Sequence, residues 1–268
     1  MMVAVQPLTS RPACAALAPL LIVLSGCQTG LPREQREALS QAARLYQQQQ
    51  IGPALSKLNP IIRDYGKTPE AAEAYYLRGL CFSQSNQLQS AAQDFRAVVG
   101  RGGVRENLAD LARASLAMIH YRWGNWDQAA ELYAACVDRL PNKPPTDLIL
   151  FYAGNAMQRS GRWAEARLQF SRILFAFPRQ SIARDARIKC YWRYNYFSIQ
   201  LGTYSESERA DEAVRQFRAR GLDTWQEARA GVSPPRWVVL TGRYARYADA
   251  LAALPAVRKF QADAHVVP

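Results

Sequence analysis

Histidine is almost absent from the chain: among 268 residues there are only His120 and His265, far apart in the sequence. Acid–base and nucleophilic sites are most often built around a positioned imidazole, and neither histidine has a partner nearby in sequence. The chain also lacks a glycine-rich phosphate loop, a paired-histidine metal helix and a nucleophile elbow, and its plentiful carboxylates form no recognisable glycosidase pair. These absences point away from an enzyme and away from any bound metal or cofactor. Cysteine is sparse too. Cys81, Cys136 and Cys190 lie far apart within helical patterns, so they read as small buried residues rather than a disulfide frame or a metal set. Long apolar runs are missing except for Ala13 to Leu24, which is too short to cross a bilayer as a stable helix.

That single run sits where an export signal would. One charge, Arg11, precedes it, and the small residues Ser25 and Gly26 separate it from Cys27, so residues 1–26 read as a signal peptide. The stretch Leu24-Ser25-Gly26-Cys27 resembles the bacterial lipobox, whose cysteine is diacylated and becomes the first residue of the mature chain. The resemblance implies lipidation at Cys27, a short tether over 27–32, and a membrane contact made through the lipid anchor. Gln28 follows where an aspartate would retain a lipoprotein in the inner membrane, which implies the periplasmic face of the outer membrane.

Charge is plentiful and uneven. The chain carries 34 Lys and Arg against 22 Asp and Glu. Between Arg159 and Arg193 there are nine basic residues and two acids, Glu165 and Asp185. Such a stretch suits anionic lipid, peptidoglycan carboxylates or an acidic protein, and equally the solvated faces of helices. An exported protein does not meet nucleic acid in its ordinary compartment, so none is expected as a partner.

Repetition organises the middle of the chain. Ala54, Ala91, Ala129 and Ala166 recur at intervals of 37, 38 and 37 residues, each opening a helical segment. Twelve positions before each stands a small residue: Ala42, Gly79, Ala117 and Gly154. Phe95, Tyr133 and Phe170 follow at helical spacing, Gly124 and Gly161 punctuate the turns, and Pro141 and Pro178 close two units. Small residues where helices cross let them approach, and large ones fill the groove beside them. This order resembles the tetratricopeptide repeat with a slightly lengthened period. It implies an α-helical solenoid of about four repeats plus a capping helix over 33–190, whose concave face holds an envelope protein that the sequence does not identify. By helical phase, Tyr76, Tyr121, Arg122, Asn155 and Arg159 are the candidates for that face.

After Lys189 the period changes. In Tyr196-Phe197-Ser198-Ile199-Gln200-Leu201 alternation places Phe197, Ile199 and Leu201 on one face and the others opposite, as in a half-buried strand. Gly202 turns the chain, Ala210, Ala213, Val214 and Phe217 form a helical stripe, and 223–228 read as a second strand. The order then repeats: Trp237 to Tyr244 as strand and turn, a helix over 248–254 that Pro255 should end, and a last strand near 264–267. Gly-Thr-Tyr at 202–204 is echoed by Gly-Arg-Tyr at 242–244. These features resemble the sporulation-related repeat, or SPOR domain, over 195–268, which implies a small ferredoxin-like α+β fold of βαββαβ order. It also implies binding of peptidoglycan glycan strands that have lost their stem peptides, on the sheet face not covered by helices. Gln200 and Thr203 are the matching positions, both expected outside the core. The aromatic of the third strand matches imperfectly, with Arg236 at the usual place and Trp237 one residue later. Strand phase assigns Trp237 to the core and Arg236 to the surface, and leaves Trp225 to supply the missing ring.

Two readings of function follow. In one, an envelope lipoprotein scaffold binds denuded glycan through the SPOR domain and recruits a partner through the repeats, in cell division or envelope organisation. In the other, an outer-membrane assembly scaffold works through the repeats while the SPOR-like domain has no affinity for sugar.

Overall fold

The structure is a computed structural model that describes residues 30–229 and 236–268, so the signal segment and Cys27 lie outside the described residues. Four antiparallel helix pairs follow one another: α1 (Arg33–Gln47) with α2 (Ile51–Tyr65), α3 (Ala72–Gln84) with α4 (Leu88–Val99), α5 (Glu106–Arg122) with α6 (Trp126–Ala134), and α7 (Thr146–Arg159) with α8 (Trp163–Ala176). A ninth helix, α9 (Ile182–Cys190), packs on α8. No helix among the described residues is long and apolar enough to cross a membrane.

Each pair is joined by the same tight turn. The residue at its tip has a positive φ in all four: Gln49 (61°), Asn86 (61°), Gly124 (79°) and Gly161 (80°). In each, the next residue's N–H reaches back to the carbonyl five positions earlier: Gln50 to Leu45, Gln87 to Phe82, Asn125 to His120 and Arg162 to Met157, at 2.8–2.9 Å. This is the Schellman closure that satisfies the last carbonyls of a helix. Glycine marks it in the third and fourth units, as the sequence indicates. In the first two a glutamine and an asparagine take the left-handed conformation, so no glycine signals the turn there.

The crossing points behave as the spacing predicts. Ala42, Ala54, Ala91, Ala117 and Ala129 are fully buried, and Ala166 nearly so. A Cβ on Gly79 would lie 2.7 Å from the Phe95 ring, and one on Gly154 would lie 2.6 Å from the Phe170 ring, so each phenylalanine fills the space its glycine leaves. The array also buries charge in pairs. Asp94 takes two bonds of 2.8 Å from Arg78, and Asp110 is held by Arg113 and Arg139. Cys81 and Cys136 are buried, and burial pushes both thiols up to about 12.

The second region is a four-stranded antiparallel sheet in the order β2-β3-β1-β4, with β1 (Phe197–Tyr204), β2 (Thr224–Arg229), β3 (Arg236–Tyr244) and β4 (His265–Val267). Two helices, α10 (Ser207–Ala219) and α11 (Tyr247–Arg258), cover one face. The chain order is therefore βαββαβ, a pair of split crossovers. Ile199, Leu201 and Val239 pack against Ala210, Val214, Phe217, Leu254 and Val257. One expectation fails here: α11 runs on through Pro255 to Arg258. The proline removes only the donor for the Leu251 carbonyl, where Leu251 is exposed and water can replace it.

The two regions are joined by a shared apolar cluster. Trp163, at the start of α8, stacks on Phe197 at 4.9 Å and donates its indole N–H to the Ala245 carbonyl at 3.1 Å. Tyr247 meets both Phe197 (5.3 Å) and Trp126 (5.0 Å), and Arg246 pairs with Asp127. Phe197 thus belongs to this junction, with Trp163 and Ala250, rather than to the sheet core with Ile199 and Leu201. Gly161 serves both parts, since a Cβ there would approach the Ala245 carbonyl to 3.1 Å.

Candidate functional site

The uncovered face of the sheet is set by two irregularities. Opposite β3, the register of β1 slips between Gln200 and Gly202, so that Gln200 faces Leu240 while Gly202 faces Val239. A regular strand would place residues 200 and 203 on opposite faces. The extra residue at Leu201-Gly202 turns Thr203 back to the side of Gln200, and the two side chains meet, Gln200 Nε2 donating to Thr203 Oγ1 at 3.0 Å. A second slip lies on β3 near Gly242, whose φ is +72°. It turns Arg243 to the uncovered face in the same way, so Arg243 is the counterpart of Thr203 in the second half of the domain.

Across this face run Trp225, Leu240, Gln200 and His265, neighbours on successive strands. Beside them lie Glu227, Val238 and Thr203. The Trp225 indole N–H donates to Glu227 Oε1 at 2.8 Å. Arg243 lies over the Trp225 ring at 4.7 Å and over the Tyr196 ring at 5.5 Å. Burial, and then the charge of Glu227, raise the Tyr196 phenol above its ordinary pKa. The Gly-Thr-Tyr and Gly-Arg-Tyr echo carried the signal for Arg243, because it aligns that arginine with Thr203. Alternation placed Tyr196 on the same side as Gln200, but nothing in it singled that tyrosine out as a site residue.

Thr203 is exposed, as expected, but Gln200 is not: it retains 7% of its surface. Its strand is central, with β3 and β4 on either side, and Thr203 takes up its amide. Ser198, one step along, is also buried, and its hydroxyl has no partner among the described residues. Trp237 packs at the margin of the helix-covered core with Val239, on the side opposite Gln200, and Arg236 is half-buried. Trp225 is half-buried on the uncovered face.

The candidates on the array divide differently. Tyr76 and Asn155 are buried, which corrects their expected place on an open groove. A first helix in a solenoid packs against its own partner and against the next pair, so much of its polar phase is also interior. Tyr76 lies against Phe95 and hydrogen-bonds Ser115, and burial pushes its phenol up to about 12. Arg122 is exposed and donates to Asn86 Oδ1 at 2.7 Å. Tyr121 and Arg159 come together, the guanidinium lying over Tyr121 (5.1 Å), Trp126 (5.2 Å) and Tyr247 (4.7 Å). Arg159 is therefore engaged with the sheet domain, beside a cleft of about 510 Å³ lined also by Asp127, Glu131 and Arg246. His120 is buried against Trp123, and burial lowers its pKa. No group of three or more His, Cys, Asp or Glu among the described residues is arranged to hold a metal ion.

Known proteins resemble the two parts separately. No curated protein matches the chain. Among solved structures, the putative kinesin light chain of Podosopora anserina, with nearly identical TPR-like repeats, is similar at 16% identity, covering 69% of this chain and 94% of that one with a TM-score of 0.47. A second structure of that protein, carrying a methionine substitution, is similar to the same degree over 93% of its length. The repeat fold of the array rests on its own helix pairing and turns. Residues 194–268 match the family model of the SPOR domain, and the chain joins that domain to a tetratricopeptide-type helical array.

Proposed function

We propose that the protein is an envelope lipoprotein scaffold, acylated at Cys27 and held at the periplasmic face of the outer membrane, that binds glycan strands lacking stem peptides and recruits a protein through its array. The observation that carries the glycan reading is the bulge at Leu201-Gly202, which gathers Gln200 and Thr203 on the face that no helix among the described residues covers. A sugar chain is held by a shallow polar surface with planar side chains beside it, and Trp225 and Tyr196 supply such rings around Arg243. The protein partner falls to the array surface beside the junction, around Arg122 and the exposed Trp123.

Co-sedimentation with amidase-treated sacculi tests the reading. Gln200→Ala with Thr203→Ala should weaken binding several-fold, since a neutral hydrogen bond contributes about 0.5–1.5 kcal/mol. Because Gln200 is buried, the thermal midpoint of the double variant must be followed alongside. Cys27→Ser should stop palmitate incorporation. Two observations favour the other scaffold: Gln200 and Thr203 already satisfy each other, and Trp237 faces the helices. If wild-type protein fails to sediment with treated sacculi, the assembly scaffold working through the array alone takes the place of this reading.

A further inference from the structure

Five side chains form an unbroken stack along one end of the uncovered sheet face. Arg243 lies over Trp225 at 4.7 Å and over Tyr196 at 5.5 Å, Tyr196 stacks on Tyr194 at 5.1 Å, and Arg193 lies over Tyr194 at 5.6 Å. The stack starts on β2 with Trp225, in the row that holds Gln200, and ends on the segment linking α9 to β1. Both arginines are exposed, and among the described residues neither has a carboxylate within ion-pair distance. The Arg243 guanidinium lies against the Trp225 ring, and one of its N–H groups goes to the Tyr196 hydroxyl, which leaves its other N–H groups for a further acceptor. A guanidinium held against rings with N–H groups to spare is preorganised for a carboxylate, which can take two parallel N–H bonds.

Glycan chemistry supplies such a group. Hydrolysis of the amide that joins a stem peptide to its sugar adds water across the C–N bond, leaving a carboxylate on the glycan and an ammonium on the peptide. Each peptide removed uncovers one negative charge on the strand. We propose that the stack of Trp225, Arg243, Tyr196, Tyr194 and Arg193 is an anionic-saccharide subsite that recognises those uncovered carboxylates, so that the protein reads the strand's charge as well as its sugar rings. The inference rests on the glycan-binding reading of the same face and names what selects the denuded strand there. Glu227, bonded through one oxygen to the Trp225 indole, lies near enough to raise the Tyr196 phenol, so it opposes an anion at the Trp225 end and favours one seated toward the two arginines.

The experiment compares binding of the full chain, in detergent, to soluble denuded strands with free carboxylates and to the same strands capped as methyl amides. Wild type should prefer the free form roughly five- to tenfold at low salt, and the preference should shrink as salt screens it. Arg193→Gln with Arg243→Gln should bind both forms alike, at the affinity wild type shows for the capped form. The retained capped-strand binding reports that the double variant is folded. Equal wild-type affinity for free and capped strands overturns the subsite and leaves the glycan reading standing. No binding to either form removes both.

Discussion

In the array, Gly79 and Gly154 each lie beneath a phenylalanine sixteen residues further along the chain. In the sheet domain, Gly202 and Gly242 each lie beneath a tyrosine two residues on. The first pairing joins two helices and decides how closely they cross. The second stays within one strand and accompanies a bulge that re-aims the residue between, Thr203 or Arg243. Their interiors differ as well. The array buries Glu73, Asp94, Asp110 and Asp147 and most of Lys189, whereas the buried polar residues of the sheet domain are Ser198, Gln200, Thr224 and Thr241, all neutral. Sequence-distant packing, with Asp94 and Asp110 paired to arginines, thus holds the scaffold, and local backbone irregularity shapes the candidate face.

The sharpest way to break this contrast is to fill the helix crossing. Gly154→Val should destabilise the array by about 3 kcal/mol, because its Cβ meets the Phe170 ring at 2.6 Å and the ring is enclosed with no space to move into. Gly79→Val should act similarly against Phe95. Urea denaturation measures both, and an unchanged midpoint for either would mean that the crossing is looser than its geometry implies.

Charge burial separates the regions by pH. Burial, and then the nearby charge of Arg159, hold the Lys189 ammonium down to about 8, against an unfolded value of about 10.4. Between those values the unfolded chain binds the extra proton, so stability rises with pH across that window and is flat below it. The gain is on the order of 3 kcal/mol, and Lys189→Met should abolish it. Hydrogen exchange should show the pH response in amides of α7 to α9 and not in the sheet. Equal response in both would deny the difference.

Much of the array was legible because its signals are periodic. Alanine at 54, 91, 129 and 166 and the small residues twelve positions earlier predict the crossings, and the structure buries all eight. The sheet strands were legible from alternation. The bulges were not, because alternation assumes that no residue is inserted; only resemblance to the SPOR family paired Gln200 with Thr203. Tyr76 and Asn155 were misplaced because a solenoid's first helix is enclosed on more than one side, and phase alone cannot say which polar positions stay outside. The junction had no sequence signal. Trp163 and Phe197 meet through tertiary packing, and neither pattern anticipates the other.

Bulge glycines should cost less to replace than crossing glycines, and unequally. Gly242→Ala forces a Cβ into φ +72° and to 2.3 Å from the Tyr244 ring, and should cost about 2 kcal/mol. Gly202 has no positive φ, and the ring tip of Tyr204 at 3.0 Å can swing away, so Gly202→Ala should cost under about 1 kcal/mol. Thermal denaturation of the two variants should keep that order.

The smallest effect concerns the turns that lack glycine. Gln49 holds φ 61° where the third and fourth units place glycine. A non-glycine residue in the left-handed region costs roughly 1–2 kcal/mol, and glycine's greater freedom in the unfolded chain returns roughly 0.5–1 of that. Gln49→Gly should therefore stabilise the first unit by about 0.5–1 kcal/mol. Asn86 has the same φ, but asparagine tolerates it better, and its Oδ1 accepts a bond from Arg122 that glycine cannot replace. Asn86→Gly should consequently be neutral or slightly destabilising. Urea midpoints of the two variants decide the matter. Equal gains would show that backbone strain alone governs these turns and that the link from Arg122 contributes nothing to holding the second unit against the third.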